Sequence, residues 1–326
     1  MPVYCDVDDR LSYLRQAVSS LWRQTDGNWR LIMVDDGSPD PGTQDLMRAL
    51  CADDPDRVHA LSQVENRGQG RARNRGVEWA HRAGIGVVAF LDSDDEAHPD
   101  RVAVTRARFA AEEIDFLYSS FIVIDGDSAP VPIDLLTPSI QEILHAHLDP
   151  PEGTDVWRRI GVECGYATLT STVSVRTDLA LAEPFPEERV SEDTHAWFRM
   201  TARARWVAFE PSTPGAYRIP QGMPGSSVRQ RIGDVYYWEK ARVDADGFQA
   251  ALRLAEGRGD LRAGEGVQHW IAFLDRLAET VTKEGESDLA AQILVHRKRC
   301  DDRGIVLPLE VSRAPAPARG SGASED

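Results

Sequence analysis

Apolar positions in the first hundred residues alternate between two periods. Leu11, Leu14, Val18, Leu21 and Trp22 recur at helical spacing, which predicts a helix over 11–24 ended by Gly27 and Asn28. The run W-R-L-I-M-V at 29–34 is short and apolar and stops at Asp35-Asp36-Gly37-Ser38, a strand followed by a turn. Residues 43–52 read as a helix and 58–64 as a second strand. Residues 71–83 read as a helix with Ala72, Val77, Trp79 and Ala80 partly buried. A third strand, G-V-V-A-F-L at 86–91, also ends in acids, Asp92-Ser93-Asp94-Asp95. Alternating strands and helices at this spacing predict a mostly parallel sheet with helices on both faces. Ligands of such sheets bind beyond the carboxyl ends of the strands, so the two acidic clusters should meet at one rim.

The second half is less regular. Residues 101–113 read as a helix and 116–124 as a strong strand, followed by a loop-rich stretch punctuated by Pro130, Pro132, Pro138, Pro150 and Pro151. The alternating, β-branched T-L-T-S-T-V-S-V at 168–175 predicts a strand. Residues 192–203 follow a helical pattern, and 205–209 form a short strand. From about residue 228 the chain turns to charged helices. One carries Val267, Trp270, Ile271, Leu274, Leu277 and Val281 on a single stripe, which is expected to pack on the sheet domain. The Pro/Ala/Gly/Ser tail at 313–326 cannot bury a core and is expected to be disordered.

Length and composition narrow the class. The 326 residues are 42% hydrophobic and 28% charged, ordinary globular values. A formal net charge of −16 argues against a general nucleic-acid binder and against a surface drawn to anionic lipid. A small anionic substrate stays open, because a divalent cation inverts the local charge logic of a carboxylate site. Cys5, Cys51, Cys164 and Cys300 form no C-x-x-C pair, so a zinc site is not expected. Asp6, Asp8 and Asp9 fall where a signal peptide would need its apolar core, and the longest apolar run is far short of the ~20 residues that span a bilayer. The expectation is a cytoplasmic chain without an integral membrane segment.

Three segments in order decide the rest. The first is Pro2-Val3-Tyr4, residues 13–25, and Val34-Asp35-Asp36-Gly37-Ser38. The second is Glu65-Asn66-Arg67-Gly68, Ala72-Arg73-Asn74-Arg75-Gly76, and Phe90-Leu91-Asp92-Ser93-Asp94-Asp95 with Pro99. The third is Ser191-Glu192-Asp193 with Trp197. Together they resemble family 2 glycosyltransferases, over roughly residues 2–220. The resemblance implies an α/β GT-A fold: a Rossmann-like, mostly parallel sheet flanked by helices, here with a C-terminal helical extension. The domains would be 1–225, with a nucleotide-binding half at 1–100 and an acceptor-binding half at 101–225, then a helical region at 226–312 and a tail at 313–326.

The chemistry of a nucleotide-diphosphate sugar matches these residue types. Mg²⁺ or Mn²⁺ takes hard oxygen ligands, keeps several waters, and needs one or two carboxylates. The resemblance implies that Asp94 holds this metal, that Asp92 and Ser93 touch the nucleotide or sugar, and that Asp95 stands behind them. It places Pro2, Val3 and Tyr4 beside the base, and either Asp35 or Asp36 on the base's edge. A carboxylate there can accept the imide N–H of uracil. Arg73, with Arg71 as the lesser candidate, sits where the family often has a nucleotide-contacting arginine. Asp193 matches the family's general base, which takes the acceptor's proton, and Glu192 is its neighbour. His195 and His98 are secondary candidates.

Two departures matter. The family normally has a strand ahead of the P-V-Y segment, whereas here Met1-Pro2 opens the chain, so residues 2–5 are expected to pair only briefly. Cys5 replaces the usual Asn. There is no Q-x-x-R-W after the acidic motif, which favours a single transfer over processive synthesis. The expected activity is an inverting, metal-dependent hexosyl transfer from a donor, UDP-linked by preference, to the hydroxyl of a glycan, lipid-linked precursor or small metabolite. A sugar-1-phosphate nucleotidyltransferase and a degenerate nucleotide-binding member remain as alternatives.

Overall fold

The computed structural model describes residues 1–6, 8–219, 229 and 232–313. The boundary expected at 225/226 and the tail from 314 onward lie outside the described residues. The first half runs β1 (Pro2–Val3), α1 (Asp8–Trp22), β2 (Leu31–Asp35), α2 (Gly42–Asp53), β3 (Val58–Ser62), α3 (Gln69–Arg82), β4 (Val87–Ala89) and α4 (Arg101–Ala111). Strands β1, β2 and β3 form a parallel sheet with β2 central. Leu31 and Met33 of β2 join Leu14, Val18, Leu46 and Met47 on one face. Ile32 and Val34 join Ala72 and Trp79 on the other. A strand covered on both faces must be apolar throughout, which is why 31–34 reads as an unbroken run. β1 pairs over two residues only, Pro2 with Val34 and Val3 with Asp35.

The second half adds β5 (Phe116–Ile124), α5 (Pro138–Ala146), α6 (Val156–Arg158, continuing into a wide turn over Arg159–Glu163), β6 (Val173–Arg176), α7 (Thr177–Ala182), α8 (Glu192–Arg203) and β7 (Val207–Arg218). Its sheet has the order β4-β6-β5-β7, with β6 antiparallel to both neighbours and β5 parallel to β7. Two details differ from the sequence pattern. Residues 170–172 form a 3₁₀ turn ahead of β6 instead of its first half. The reason lies in the hydroxyls: Thr172 Oγ1 donates to Leu169 O at 2.8 Å, and Thr170 and Ser171 donate to Asp193 and Asp95, so side chains compete with the ladder. β7 extends nine residues past Phe209. The register with β5 shifts between Ser119 and Phe121, which leaves room for Pro211 and Pro214, the residues that disguise this strand in the sequence.

Three long helices follow: α9 (Tyr236–Arg258), α10 (Glu265–Lys283) and α11 (Ser287–Arg303). Trp270, Leu274, Leu277 and Val281 of α10 are buried as the stripe predicts. They share one core with Trp197 and Phe198 of α8, Phe248 of α9, and Phe116, Tyr118 and Val173 of the sheet. The Phe248 and Phe273 rings stack 4.3 Å apart. Contact between α9 and α8 is close enough that a Cβ on Gly247 would lie 2.7 Å from His195 Cα. Among the described residues no helix is long and apolar enough to cross a membrane. All four cysteines are free thiols.

Candidate functional site

A cleft of about 1490 Å³ opens at the carboxyl ends of the strands. Its walls include Pro2, Val3, Tyr4, Asp36, Arg73, Asp92, Ser93, Asp94 and Asp193, so among the leading sequence-derived site residues, the lesser candidates Arg71, His195 and His98 aside, the structure brings together all but one. The exception is Asp35. It is turned toward α2, where it accepts Ser38 N–H at 3.0 Å, Ser38 Oγ–H at 2.6 Å and the Gln44 amide. Of the two adjacent acids, Asp36 is the one on the cleft wall.

Asp36 accepts from Gln63 Nε2 at 2.7 Å, Arg67 N at 2.9 Å and Gly68 N at 2.8 Å. It thereby ties the end of β2 to the loop that leads into α3. Burial pushes its carboxyl above the usual range. The next residue has to be glycine: Gly37 has φ +71°, and a Cβ there would sit 2.8 Å from Asn66 N.

Arg73 crosses from α3 to both acidic segments. Its guanidinium, 1% exposed, contacts Asp92 Oδ1 at 2.7 Å and Glu192 Oε1 at 2.7 Å. Nε is buried without a partner among the described residues. Arg73 is held firmly in its charged form, since burial is outweighed by the attraction of Asp92 and Glu192. One guanidinium nevertheless faces three carboxylates, counting Asp193. Burial, reinforced by the Asp193 charge, pushes Glu192 up to about 7. Arg71 instead faces outward toward Glu187.

Asp92, Asp94 and Asp95 follow β4. Asp92 N–H donates to Ser171 Oγ at 2.9 Å. Asp95 is buried, accepts from Ser171 and from Arg218 N at 2.8 Å, and serves as the floor of the turn. Burial first, then the neighbouring acids, drive Asp94 and Asp95 above their usual range. Arg10 Nη1 approaches Asp94 Oδ2 at 3.4 Å. No group of three or more His, Cys, Asp or Glu side chains among the described residues could cage a metal. A pair of hard carboxylates at an electronegative cleft wall does fit Mg²⁺ or Mn²⁺, which complete their shells with water and phosphate.

On the opposite side, α8 begins at the cleft. Ser191 precedes it with φ 57° and ψ 21°, a left-handed conformation that costs a non-glycine residue about 1 kcal/mol. Asp193 is partly exposed and accepts from Thr170 Oγ1 at 3.1 Å. His195 is buried in the α8–α9 contact, bound to Asp246 at 2.9 Å and to Arg199 at 3.1 Å. His98 accepts Asp100 N–H at 3.2 Å in a local turn. Neither histidine is on the cleft wall.

Sequence reasoning missed the Arg73–Glu192 bridge and the hydroxyls of Thr170 and Ser171. It also missed Tyr166, Lys240 and Asp244, which line the cleft from the second half and α9. Only the Lys240/Asp244 pair carried a signal, the four-residue helical spacing of opposite charges.

The family model described as glycosyl transferase family 2 matches residues 1–165. The chain belongs to glycosyl transferase family 2. It is 32% identical over 119 residues to a protein of Bacillus subtilis (strain 168) named as a teichuronic acid biosynthesis glycosyltransferase, TuaG. That match takes in 36% of this chain and 45% of the relative. It is 26% identical over 182 residues to an Escherichia coli UDP-Glc:alpha-D-GlcNAc-diphosphoundecaprenol beta-1,3-glucosyltransferase, WfgD, which covers 56% of this chain and 61% of that protein. The chain thus spans less than two thirds of the length of these curated relatives. The S. aureus TarS 1–349 structure superposes with a TM-score of 0.52 at 17% identity, over 93% of this chain and 87% of that one. The mannosyltransferase PcManGT of Pyrobaculum calidifontis, in complex with GDP-Man and Mn²⁺, gives 0.51 at 14% identity, over 91% and 78%. At these identities the likeness shows the fold, and that fold is GT-A.

Proposed function

We propose that this family 2 member is an inverting glycosyltransferase that moves one sugar from a nucleotide-diphosphate donor, UDP-linked, to an acceptor hydroxyl. The observation that carries the reading is the single cleft walled by Asp92 and Asp94 on one side and Asp193 on the other. Pro2, Val3 and Tyr4 supply a surface for the base. Asp36 makes three hydrogen bonds of the roughly four its oxygens can accept, which leaves one for the imide N–H of uracil. Asp94, with Asp92, would hold Mg²⁺ or Mn²⁺, which when bound neutralises charge developing on the leaving diphosphate.

The acceptor oxygen attacks the anomeric carbon, the bond from that carbon to the diphosphate oxygen breaks, and its electron pair leaves with the nucleotide. Asp193 takes the acceptor's proton. The residue suits that role because it is partly exposed, oriented by Thr170, and set in the first turn of α8 on the cleft wall. Glu192 is tied to Arg73 and does not compete. Beyond Asp193 the cleft continues between α5, α9 and α10, past Tyr236, Tyr237 and Leu277. Its volume exceeds the ~300–1,000 Å³ of an ordinary small-molecule pocket, which leaves room for an acceptor.

The test uses UDP, the ligand of one TarS complex, and UDP-GlcNAc, the ligand of another. UDP with Mn²⁺ should raise the melting temperature, and Asp94→Asn should abolish the metal-dependent part. Asp193→Asn should keep UDP affinity while UDP release from UDP-GlcNAc falls by about 10²–10⁴-fold. An unchanged Mn²⁺ response in the first variant, or near-normal release in the second, overturns the corresponding assignment.

A further inference from the structure

A second buried polar cluster backs the same wall of the cleft. Asp244 of α9 is 0% exposed. Its Oδ1 accepts the Ser191 hydroxyl, and its Oδ2 accepts the Tyr166 hydroxyl and Lys240 Nζ, the latter at 2.6 Å. Lys240 also donates to Tyr166 Oη at 3.0 Å and to Ser191 Oγ at 3.3 Å, and lies 4.2 Å from the Tyr166 ring centre. Two side chains of α9, Asp244 and Lys240, therefore meet the Ser191 hydroxyl, and Tyr166 braces both of them.

That hydroxyl belongs to the residue with the unusual backbone. Ser191 and Ser128 are the two non-glycine residues with positive φ among those described. The Ser191 side chain makes no cap bond to its own helix. Its hydroxyl is spent on Asp244, so the left-handed turn is held from outside α8. Strained backbone of this kind persists where surrounding contacts over-determine it. The next two residues are Glu192, fixed to Arg73, and Asp193, fixed to Thr170.

We infer that Asp244, supported by Tyr166 and Lys240, is a positioning residue: by gripping Ser191 in its left-handed conformation it aims the Asp193 carboxylate into the cleft. This makes the C-terminal helix α9 part of the transfer machinery. The inference rests on the reading of Asp193 as the base.

Ser191→Ala removes the hydroxyl and keeps the Cβ that disfavours the left-handed turn; Tyr166→Phe removes one donor to Asp244 with little change in shape. The probe is UDP release from UDP-GlcNAc with water as acceptor. Ser191→Ala should lower kcat by about 10-fold, since a misplacement of order 1 Å costs up to ~10²-fold, with KM for the donor unchanged. Tyr166→Phe should lower kcat by a smaller factor in the same manner. In an Asp193→Asn background Ser191→Ala should cost nothing further, because the two act through one group. Hydrogen exchange at the amides of 192–195 should rise in Ser191→Ala and leave the amides of 34–37 as they are. A normal kcat in both single variants, a full further loss in the Asp193→Asn background, or unaltered exchange at 192–195 overturns the inference. Normal release by Asp193→Asn alone overturns the base reading instead. If Ser191→Ala does not fold, Tyr166→Phe decides by the same measurements.

Discussion

Arg73→Met is the sharpest test of how the two halves are joined. Methionine fills most of the guanidinium's volume and removes its charge. Two ion pairs disappear, each 2.7 Å long, but their carboxylates do not suffer equally. Asp92 is 25% exposed and can rehydrate, whereas Glu192 is 1% exposed and cannot. Removing one partner of a buried pair costs roughly 3–5 kcal/mol, and with one of two carboxylates rescued by water the lower figure applies, about 3 kcal/mol at pH 8. The pH dependence follows from Glu192. Its carboxyl already sits near 7 with Arg73 present, and without that cation it rises further. Its folded pKa then exceeds the unfolded value by more than in the wild type. The variant's relative stability is therefore greatest below the unfolded pKa and is lost as pH rises through the folded one. Urea unfolding at pH 5, 6.5 and 8 should show the deficit growing with pH, and adding Glu192→Gln should recover much of it. A deficit under about 1 kcal/mol at pH 8, or one that does not change with pH, refutes the reasoning.

Two other perturbations follow from the packing and the titration. In the presence of Arg73, Glu192→Gln removes a group whose carboxyl rises from 4.5 to about 7, so its stability relative to wild type should improve by up to about 3 kcal/mol between pH 4.5 and 8; a flat difference in urea unfolding counts against the shift. Gly161→Ala would place a Cβ 2.3 Å from Phe248 Cε2, on the ring that stacks with Phe273, and should cost about 1–3 kcal/mol; an unchanged melting curve means that the contact of the 159–163 turn with α9 is looser than the structure shows.

What could be read from the chain divides along physical lines. Strand β5 and helix α8 fall where the pattern puts them, because each combines unbroken periodicity with a length typical of its type. The α10 stripe is equally legible, since helical amphipathicity is a property of one segment alone. The pattern stops β7 at residue 209, because Pro211 and Pro214 argue against a strand, and only the partner's register reveals the shift that admits them. The 170–172 turn departs from the pattern for a related reason: an alternating Thr/Ser run reads as a strand until its hydroxyls find acceptors elsewhere, here Asp193 for Thr170 and Asp95 for Ser171. Motifs single out Asp35 or Asp36, Asp92, Asp94 and Asp193, but the pairs that brace this cleft are 119 positions apart for Arg73 and Glu192 and 53 for Ser191 and Asp244. Sequence spacing carries no trace of pairs that only the tertiary fold assembles.

The family match ends at residue 165, before Thr170, Ser191, Asp193, Lys240 and Asp244. The matched span holds the strand ends and the acids to which the proposed function gives the nucleotide and the cation. The unmatched remainder holds the proposed base and the far lobe of the cleft, which would meet the acceptor. Arg73 is the point where the two regions are electrostatically joined, since it binds Asp92 within the matched span and Glu192, the neighbour of Asp193, beyond it.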